Sequence, residues 1–346
     1  MSWITVILLV LGAFAATFAG LQTLIPVLAR RGILDRPNPR SNHATPTPRG
    51  GGLALIAVLV GVWGLAALIF GDPIEGQSEI ARLAPLLSAA LLLSAISWLD
   101  DLHSLPPLLR LVAHFATAGA GLSALPETDL VFQGVLPFWG DRFGALLLWV
   151  WFLNLFNFMD GIDGLSGSEA ASIALGAGLV LLSITGLGFA PDVQIVYALT
   201  LAGGAVAFLC WNWEPAKVFM GDAGSVPLGF LLGWLLLSLA GEGLFFAALI
   251  LPLYYLADSG LTLITRILRR EKIWQAHSTH FYQRAVRSGM SHAGVTRLVL
   301  VANLGLILLA LGAQSDIFSN AGPACLLGAG LVVAGLLRRL SRKNRA

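Results

Sequence analysis

Apolar stretches long enough to cross ~30 Å of hydrocarbon recur along the whole chain, each bounded by a break containing charge, glycine or proline. Eleven are read, at 3–29, 51–70, 83–99, 107–122, 143–157, 168–188, 193–211, 225–239, 244–264, 295–312 and 321–337, the fifth and eighth of them short. The first has no Lys or Arg before it and no small-residue cleavage site after it, which marks a retained helix rather than a signal peptide. The pattern predicts an all-α integral membrane fold, a polytopic bundle of about 11 transmembrane helices that forms one domain over 1–346. Composition agrees, since 57% of residues are hydrophobic, 12% are charged and mean hydropathy is +0.81. No water-soluble fold buries that much apolar surface. Cys210 and Cys325 both fall within spans, so neither a disulfide framework nor a cysteine metal site is expected.

Charge gives the orientation. If loops alternate sides, one set comprises 30–50, 100–107, 158–167, 212–224, 265–294 and the tail from Arg338. Of the 21 Lys and Arg residues only Arg82 and Arg142 fall on the other side, which carries Asp72, Glu75, Glu79, Glu127, Asp129, Asp141, Asp192, Glu242 and Asp316. The basic side is the cytoplasmic one, with the C-terminus on it. Any chemistry is expected there, because the opposite loops are mostly short and lack clustered reactive groups. Arg338, Arg339, Arg342, Lys343 and Arg345 read as a stop-transfer and anchor to anionic membrane lipids.

Three of the cytoplasmic loops carry carboxylates. The third span ends in Ser97-Trp98-Leu99-Asp100-Asp101, two anions at the negative end of a helix dipole, where something cationic must compensate. The fifth runs into Asn157-Phe158-Met159-Asp160-Gly161-Ile162-Asp163-Gly164, and Gly221-Asp222-Ala223-Gly224-Ser225 leads into the eighth, whose start could face phosphate. Five carboxylates on one face point to a hard divalent cation. Mg²⁺ usually takes one or two carboxylates plus substrate phosphates, so a metal-diphosphate site follows.

Two loops supply basic groups. The first, from Asp35 to Gly52, is stiffened by prolines and ends in Arg49-Gly50-Gly51-Gly52. Its arginines suit bidentate phosphate contact, and its glycines are expected to offer backbone N–H groups to an anion. The largest loop holds Arg266, Arg269, Arg270 and Lys272 and then His277-Ser278-Thr279-His280-Phe281-Tyr282-Gln283-Arg284. His277 and His280 lack a third soft ligand nearby, so phosphate or sugar contact by His280 and Arg284 is preferred over zinc. His103 and His114 read as structural, and the tryptophans as membrane belts.

In order and on one face, these motifs resemble the polyprenyl-phosphate N-acetylhexosamine-1-phosphate transferases, glycosyltransferase family 4. The likeness spans nearly the whole chain. It rests on Pro48-Arg49-Gly50-Gly51-Gly52, Asp100-Asp101, Asn157 to Gly164, Gly221 to Ser225 and His280 to Arg284. The resemblance implies transfer of a sugar-1-phosphate from a UDP-N-acetylhexosamine, of GlcNAc or FucNAc type, to undecaprenyl phosphate. UMP is released and Mg²⁺ is required, with Mn²⁺ as a substitute. It further implies that Asp222 is a metal ligand and that Asp100 or Asp101 binds metal or deprotonates the lipid phosphate. Asp160 and Asp163 would hold substrate or metal, and Arg49, Asn157, His280 and Arg284 would contact substrate. Family members often carry His-x-His-His where this chain has His280-Phe281-Tyr282-Gln283, and a Lys after the Asp-Asp pair that is absent here, with His103 or Arg110 as replacement. These departures and Pro227 point to the O-antigen-initiating branch.

A bacterial inner-membrane location follows, with no nucleic-acid partner. A homodimer is left open. Two other classes compete. A transporter of lipid-linked sugar would place ionisable groups near the midplane and show repeated halves. A scaffold would tolerate loss of Asp101 or Asp222.

Overall fold

The structure is a computed structural model that describes residues 2–37, 45–70, 77–186, 191–271, 278–314 and 320–342. Expectations placed on 38–44, on Asp72, Glu75 and Asp316, on Lys272 and His277, and on Lys343 and Arg345 fall outside these residues. The described chain is helical apart from two short strands: α1 (Trp3–Arg30), β1 (Leu34–Asp35), β2 (Thr47–Pro48), α2 (Gly52–Phe70), α3 (Glu79–His103), α4 (Pro107–Gly121), α5 (Phe138–Phe158), α6 (Leu165–Thr185), α7 (Val193–Asn212), α8 (Asp222–Gly241), α9 (Phe245–Ile250), α10 (Leu253–Leu268), α11 (Phe281–Arg287), α12 (His292–Gly312) and α13 (Ala321–Leu340). The strands pair antiparallel, Leu34 opposite Pro48 and Asp35 opposite Thr47.

Eight helices, α1, α2, α3, α6, α7, α8, α12 and α13, are long and apolar enough to cross a membrane, which makes this an all-α polytopic membrane protein. The other three expected spans are also helical, but differ in kind. α4 has only 15 residues, and α5 opens with Asp141 and Arg142. The span expected at 244–264 is two helices, α9 and α10, separated at Leu251 and Pro252. Proline has no N–H to continue the ladder and its ring clashes with the preceding turn, so the apolar run breaks there although its composition does not change.

α8 forms the centre, buried at every position from Ala223 to Ala240, as expected of a helix apolar all round. It packs against α2, α3, α5, α6 and α9. Small residues let α5 approach it closely. A Cβ on Gly233 would stand 2.5 Å from Trp149 Cδ1, and one on Gly229 would stand 2.9 Å from Phe156 Cβ. The Trp149 ring stacks on Phe230 at 4.7 Å, and its indole N–H donates to the Phe230 carbonyl at 2.8 Å. The outer helices α1 and α13 show Ile4, Leu8, Leu11, Leu327 and Leu331 to the surroundings, as lipid contact requires.

The two ends of the bundle are built differently. At one end the basic loops bond to one another across helices. At the other, the two basic residues that broke the charge rule are buried and engaged. Arg82 pairs with Glu79 at 2.5 Å and donates to the Ala124 carbonyl, while Tyr197 donates to the same glutamate at 3.0 Å. Arg142 donates to the carbonyls of Asp129 and Pro126, and Asp141 accepts from Val131 and Phe132 N–H. Neither arginine offers free charge to the loop side, so they weigh little in the orientation.

Gly233→Val is predicted to push the new side chain into Trp149 and cost about 1–3 kcal/mol, read as a lower melting temperature in detergent. Gly61→Val, where a Cβ meets nothing within 4 Å, serves as the control and leaves it unchanged.

Candidate functional site

The loop between α1 and α2 and the loop before α8 are joined through their backbones. Phe219 N–H donates to the Pro48 carbonyl at 2.8 Å, and Gly50 and Gly51 N–H donate to the Phe219 carbonyl at 3.1 and 2.9 Å. Gly52 N–H donates to the Met220 carbonyl at 3.0 Å. A Cβ on Gly52 would collide with Gly224 Cα, and one on Gly224 with Gly52 Cα, so the starts of α2 and α8 cross in backbone contact. This corrects the expectation that the glycine run offers its N–H groups to an anionic ligand. Those donors close the crossing, and glycine is there for proximity.

The start of α8 does meet an anion, but the anion belongs to the protein. Asp222 and Ala223 N–H donate to the Asp101 carboxylate at 3.3 and 3.2 Å. Asp101 therefore sits at the unfavourable end of α3 and the favourable end of α8, and the second offsets the first. Arg49 completes the compensation: its Nη2 lies 2.5 Å from Asp101 Oδ1 and 3.0 Å from Asp222 Oδ1. The Asp101 side chain is 3% exposed, against 25% for Asp222 and 34% for Arg49. The two that face outward are Arg49 and Asp222.

They line a cavity of about 270 Å³ with Asp35, Asp160, Gly161, Ile162, Asp163, Asn212, Phe219, Gly221 and His292. Burial pushes the Asp160 carboxyl up to about 6; the Ser166 hydroxyl and Arg49 oppose this and the charge of Asp222 adds to it. Asp163 is braced, its Oδ2 accepting from Ala216 N–H at 3.0 Å and its carbonyl from the Thr296 hydroxyl at 3.1 Å. His292 Nδ1 stands 3.1 Å from Asp163 Oδ1 and 3.2 Å from its backbone nitrogen, so the ring holds this residue in either tautomer. Asn212 accepts from Gly164 N–H at 2.9 Å and donates to the Val218 carbonyl at 2.8 Å, tying the 160–164 loop to the 218–222 loop.

Among the described residues, no three His, Cys, Asp or Glu side chains gather closely enough to hold a metal ion by themselves. The carboxylate oxygens of Asp101 and Asp222 nevertheless converge on one cationic atom, Arg49 Nη2. Two hard oxygen donors beside an open cavity suit Mg²⁺, which draws its remaining ligands from water and substrate phosphate. The residues present fit such an ion.

Four sequence candidates lie elsewhere. Asp100 is paired with Arg110 at 2.9 Å and accepts from Leu105 N–H at 2.6 Å, closing the turn from α3 to α4. Arg110 thus takes up the charge left by the missing lysine. Asn157 lies in the last turn of α5, half-buried, off the cavity wall. His280, expected at phosphate or sugar, is 2% exposed with Nδ1 3.1 Å from Asp258 Oδ1. Arg284 is exposed with its guanidinium 5.0 Å from the Phe281 ring.

Asp258 was missed, although it is the one charged residue before Arg266 in the ninth expected span. It is fully buried and also accepts from Phe281 and Tyr282 N–H at 3.0 and 3.2 Å, capping α11. That places Tyr282, whose hydroxyl donates to the Phe158 carbonyl at 3.1 Å and occupies the space a Gly161 side chain would need. The histidine segment therefore supports the Asp160 loop from behind. Asp35, Asn212 and His292 were also missed as cavity residues.

Asp258→Ala is predicted to leave the α11 donors unpaired in a buried setting, at about 1–3 kcal/mol. Hydrogen exchange should rise sharply over 278–287 while α8 stays protected. Uniform loss of protection would contradict a local role.

The family model described as glycosyl transferase family 4 matches residues 83–240, the stretch that holds Asp100 to Asp222. A protein of Bacillus subtilis (strain 168) named "Probable undecaprenyl-phosphate N-acetylglucosaminyl 1-phosphate transferase" is 27% identical over 299 residues, 81% of this chain and 78% of that one. The decaprenyl-phosphate N-acetylglucosaminephosphotransferase of Mycobacterium tuberculosis (strain ATCC 25618 / H37Rv) is 29% identical over 335 residues, covering 89% of this chain and 82% of its own. A phospho-N-acetylmuramoyl-pentapeptide-transferase of Moorella thermoacetica is 40% identical over 91 residues, 26% of this chain and 27% of that protein. The matched stretch covers three of the carboxylate motifs and relatives of this kind align over most of the chain, so the chain is similar to proteins of glycosyl transferase family 4.

Proposed function

We propose that the protein transfers an N-acetylhexosamine-1-phosphate from a UDP-sugar to undecaprenyl phosphate and releases UMP. The reading includes one membrane-embedded domain over 1–346, in the bacterial inner membrane with the cavity and C-terminus cytoplasmic. It also includes a role in starting a lipid-linked glycan of the O-antigen type. The observation that carries it is the cavity itself, which pairs Arg49 with Asp160, Asp163 and Asp222 at the basic end of a membrane bundle. A nucleotide diphosphate needs cationic compensation, and a lipid phosphate reaches only a site at the bilayer surface. The relatives' names supply the acceptor and the transferred group.

In this reading Asp222, with Asp101 behind it, holds Mg²⁺ or Mn²⁺, and Arg49 takes charge on the donor's diphosphate. Such an ion, when bound, would supply charge to neutralise that diphosphate and to stabilise departing UMP. An oxygen of the lipid phosphate attacks the β-phosphorus in line, the bond from that phosphorus to the bridging oxygen breaks, and UMP leaves. Asp160, on the cavity wall with its carboxyl raised by burial, is the group that takes the proton of the lipid phosphate in this reading. Asp163 holds the loop that presents Asp160.

Direct displacement is favoured over an aspartyl-phosphate route because both candidate nucleophiles are occupied. Asp101 is buried under two backbone N–H groups and Arg49, and Asp100 is held by Arg110 and Leu105.

Purified protein in detergent, given undecaprenyl phosphate, Mg²⁺ and a panel of UDP-GlcNAc, GalNAc, FucNAc, QuiNAc and MurNAc-pentapeptide, should release UMP from one donor. Release should require lipid, vanish with EDTA and fall by about a hundredfold or more in Asp222→Ala. Donor labelled at the β-phosphate should leave no label on protein when lipid is withheld. Folded protein that releases no UMP from any donor would contradict the assignment; trapped label would establish the two-step route instead.

A further inference from the structure

Arg49 has two positions open to it. Its backbone is fixed, with the N–H donating to the Ile33 carbonyl at 3.2 Å and the next residue, Gly50, donating to Phe219. Its side chain is the most exposed of the three charged groups at the crossing, and it lines the cavity. In the structure one nitrogen of that side chain bridges single oxygens of Asp101 and Asp222, which come from different helices. That is how a small cation shared by two carboxylates is held.

The crossing does not need this ion pair for its geometry. Four backbone hydrogen bonds already join the two loops, and Gly52 and Gly224 are in backbone contact. The Ser94 hydroxyl also donates to the Ala223 carbonyl at 2.8 Å, tying α3 to α8. What the guanidinium does supply is charge, because the carboxyl groups of Asp101, Asp222, Asp35 and Asp160 all lie close enough to act on it electrostatically. A divalent ion using the same two oxygens cannot share them with a guanidinium, since the like charges would be in contact in a half-buried setting.

We propose that Arg49 is the resident counter-ion of the Asp101–Asp222 pair, displaced by the divalent cation and thereby released toward the donor's diphosphate. Metal entry and arginine exit are one exchange. In the metal-free protein the guanidinium keeps Asp101 and Asp222 from repelling each other; with metal bound, the same charge turns to substrate. The proposal rests on the metal-diphosphate reading of this cavity and adds an order of events to it. It also gives Arg49 effects of opposite sign on the two ligands, because the side chain competes with one and binds the other.

The test measures Mn²⁺ binding by the loss of free-ion EPR signal, and UDP-sugar binding at saturating Mn²⁺ by calorimetry. Wild type, Arg49→Gln and Asp222→Asn are compared in detergent. Arg49→Gln should bind Mn²⁺ about tenfold more tightly than wild type, since a competing charge is gone, and bind the UDP-sugar about tenfold or more weakly. Asp222→Asn should lose Mn²⁺. A residue that merely supports the loop would weaken both ligands together when removed. If wild type binds Mn²⁺ and Arg49→Gln binds it equally or less well, the counter-ion role is overturned while the site reading stands. If wild type binds no Mn²⁺, the metal reading itself falls and the exchange with it. Should Arg49→Gln fail to fold, Arg49→Met answers the same question, because it keeps an apolar stem of similar reach and removes the competing charge. Its Mn²⁺ affinity should rise, and unchanged or lower affinity would overturn the proposal.

Discussion

An anion at the C-terminal end of a helix, at the edge of hydrocarbon, must be stabilised from outside its own helix. Asp101 is in that position, and the arrangement around the cavity follows from how it is satisfied. Two N–H groups at the start of α8 bond it, so α8 must begin where α3 ends. Arg49 reaches it from the α1–α2 loop, which backbone hydrogen bonds and the parallel bridge between Arg49 and Phe219 hold against the loop before α8. The glycines at 52 and 224 make the approach sterically feasible. One carboxylate thereby bonds to three segments that are distant in sequence, and Asp222 emerges from the junction facing the cavity.

The opposite end of the bundle solves a different problem. Arg82 with Glu79 and Tyr197, and Arg142 with the carbonyls of Asp129 and Pro126, close buried polar networks that serve packing. Within the bundle, Glu169 of α6 accepts from the Asn303 amide at 2.7 Å, pairing a fully buried carboxyl across two helices. Arg82, Arg142 and Glu169 are thus bonded in the interior, whereas Asp101, Asp160 and Asp222 gather at one face.

The membrane architecture was readable in the sequence because the apolar runs are long and the breaks between them hold nearly all the charge. Grouping Arg49, Asp160, Asp163 and Asp222 at one face was equally readable from motif position. What could not be read was the partner of each group. The glycine N–H groups looked free because their acceptors, Phe219 and Met220, lie about 170 residues away. His280 looked like a ligand contact because Asp258, which it pairs with, is hidden in an apolar run. The break at Pro252 is local, and it was passed over because the run stays apolar on both sides of the proline. The glycine and His280 expectations turned on long-range bonds, which local composition does not encode.

The central claim is that the four segments meeting at Asp222 form the metal-diphosphate site. Crystals grown with Mn²⁺ and a UDP-sugar, measured at the manganese absorption edge, test it most directly. The account predicts the strongest anomalous peak at the Asp222 carboxylate, on the cavity side of the α2–α8 crossing, with the donor's phosphates on the same ion. A principal peak elsewhere, at Asp100, Asp258 or the far end of the bundle, would contradict it.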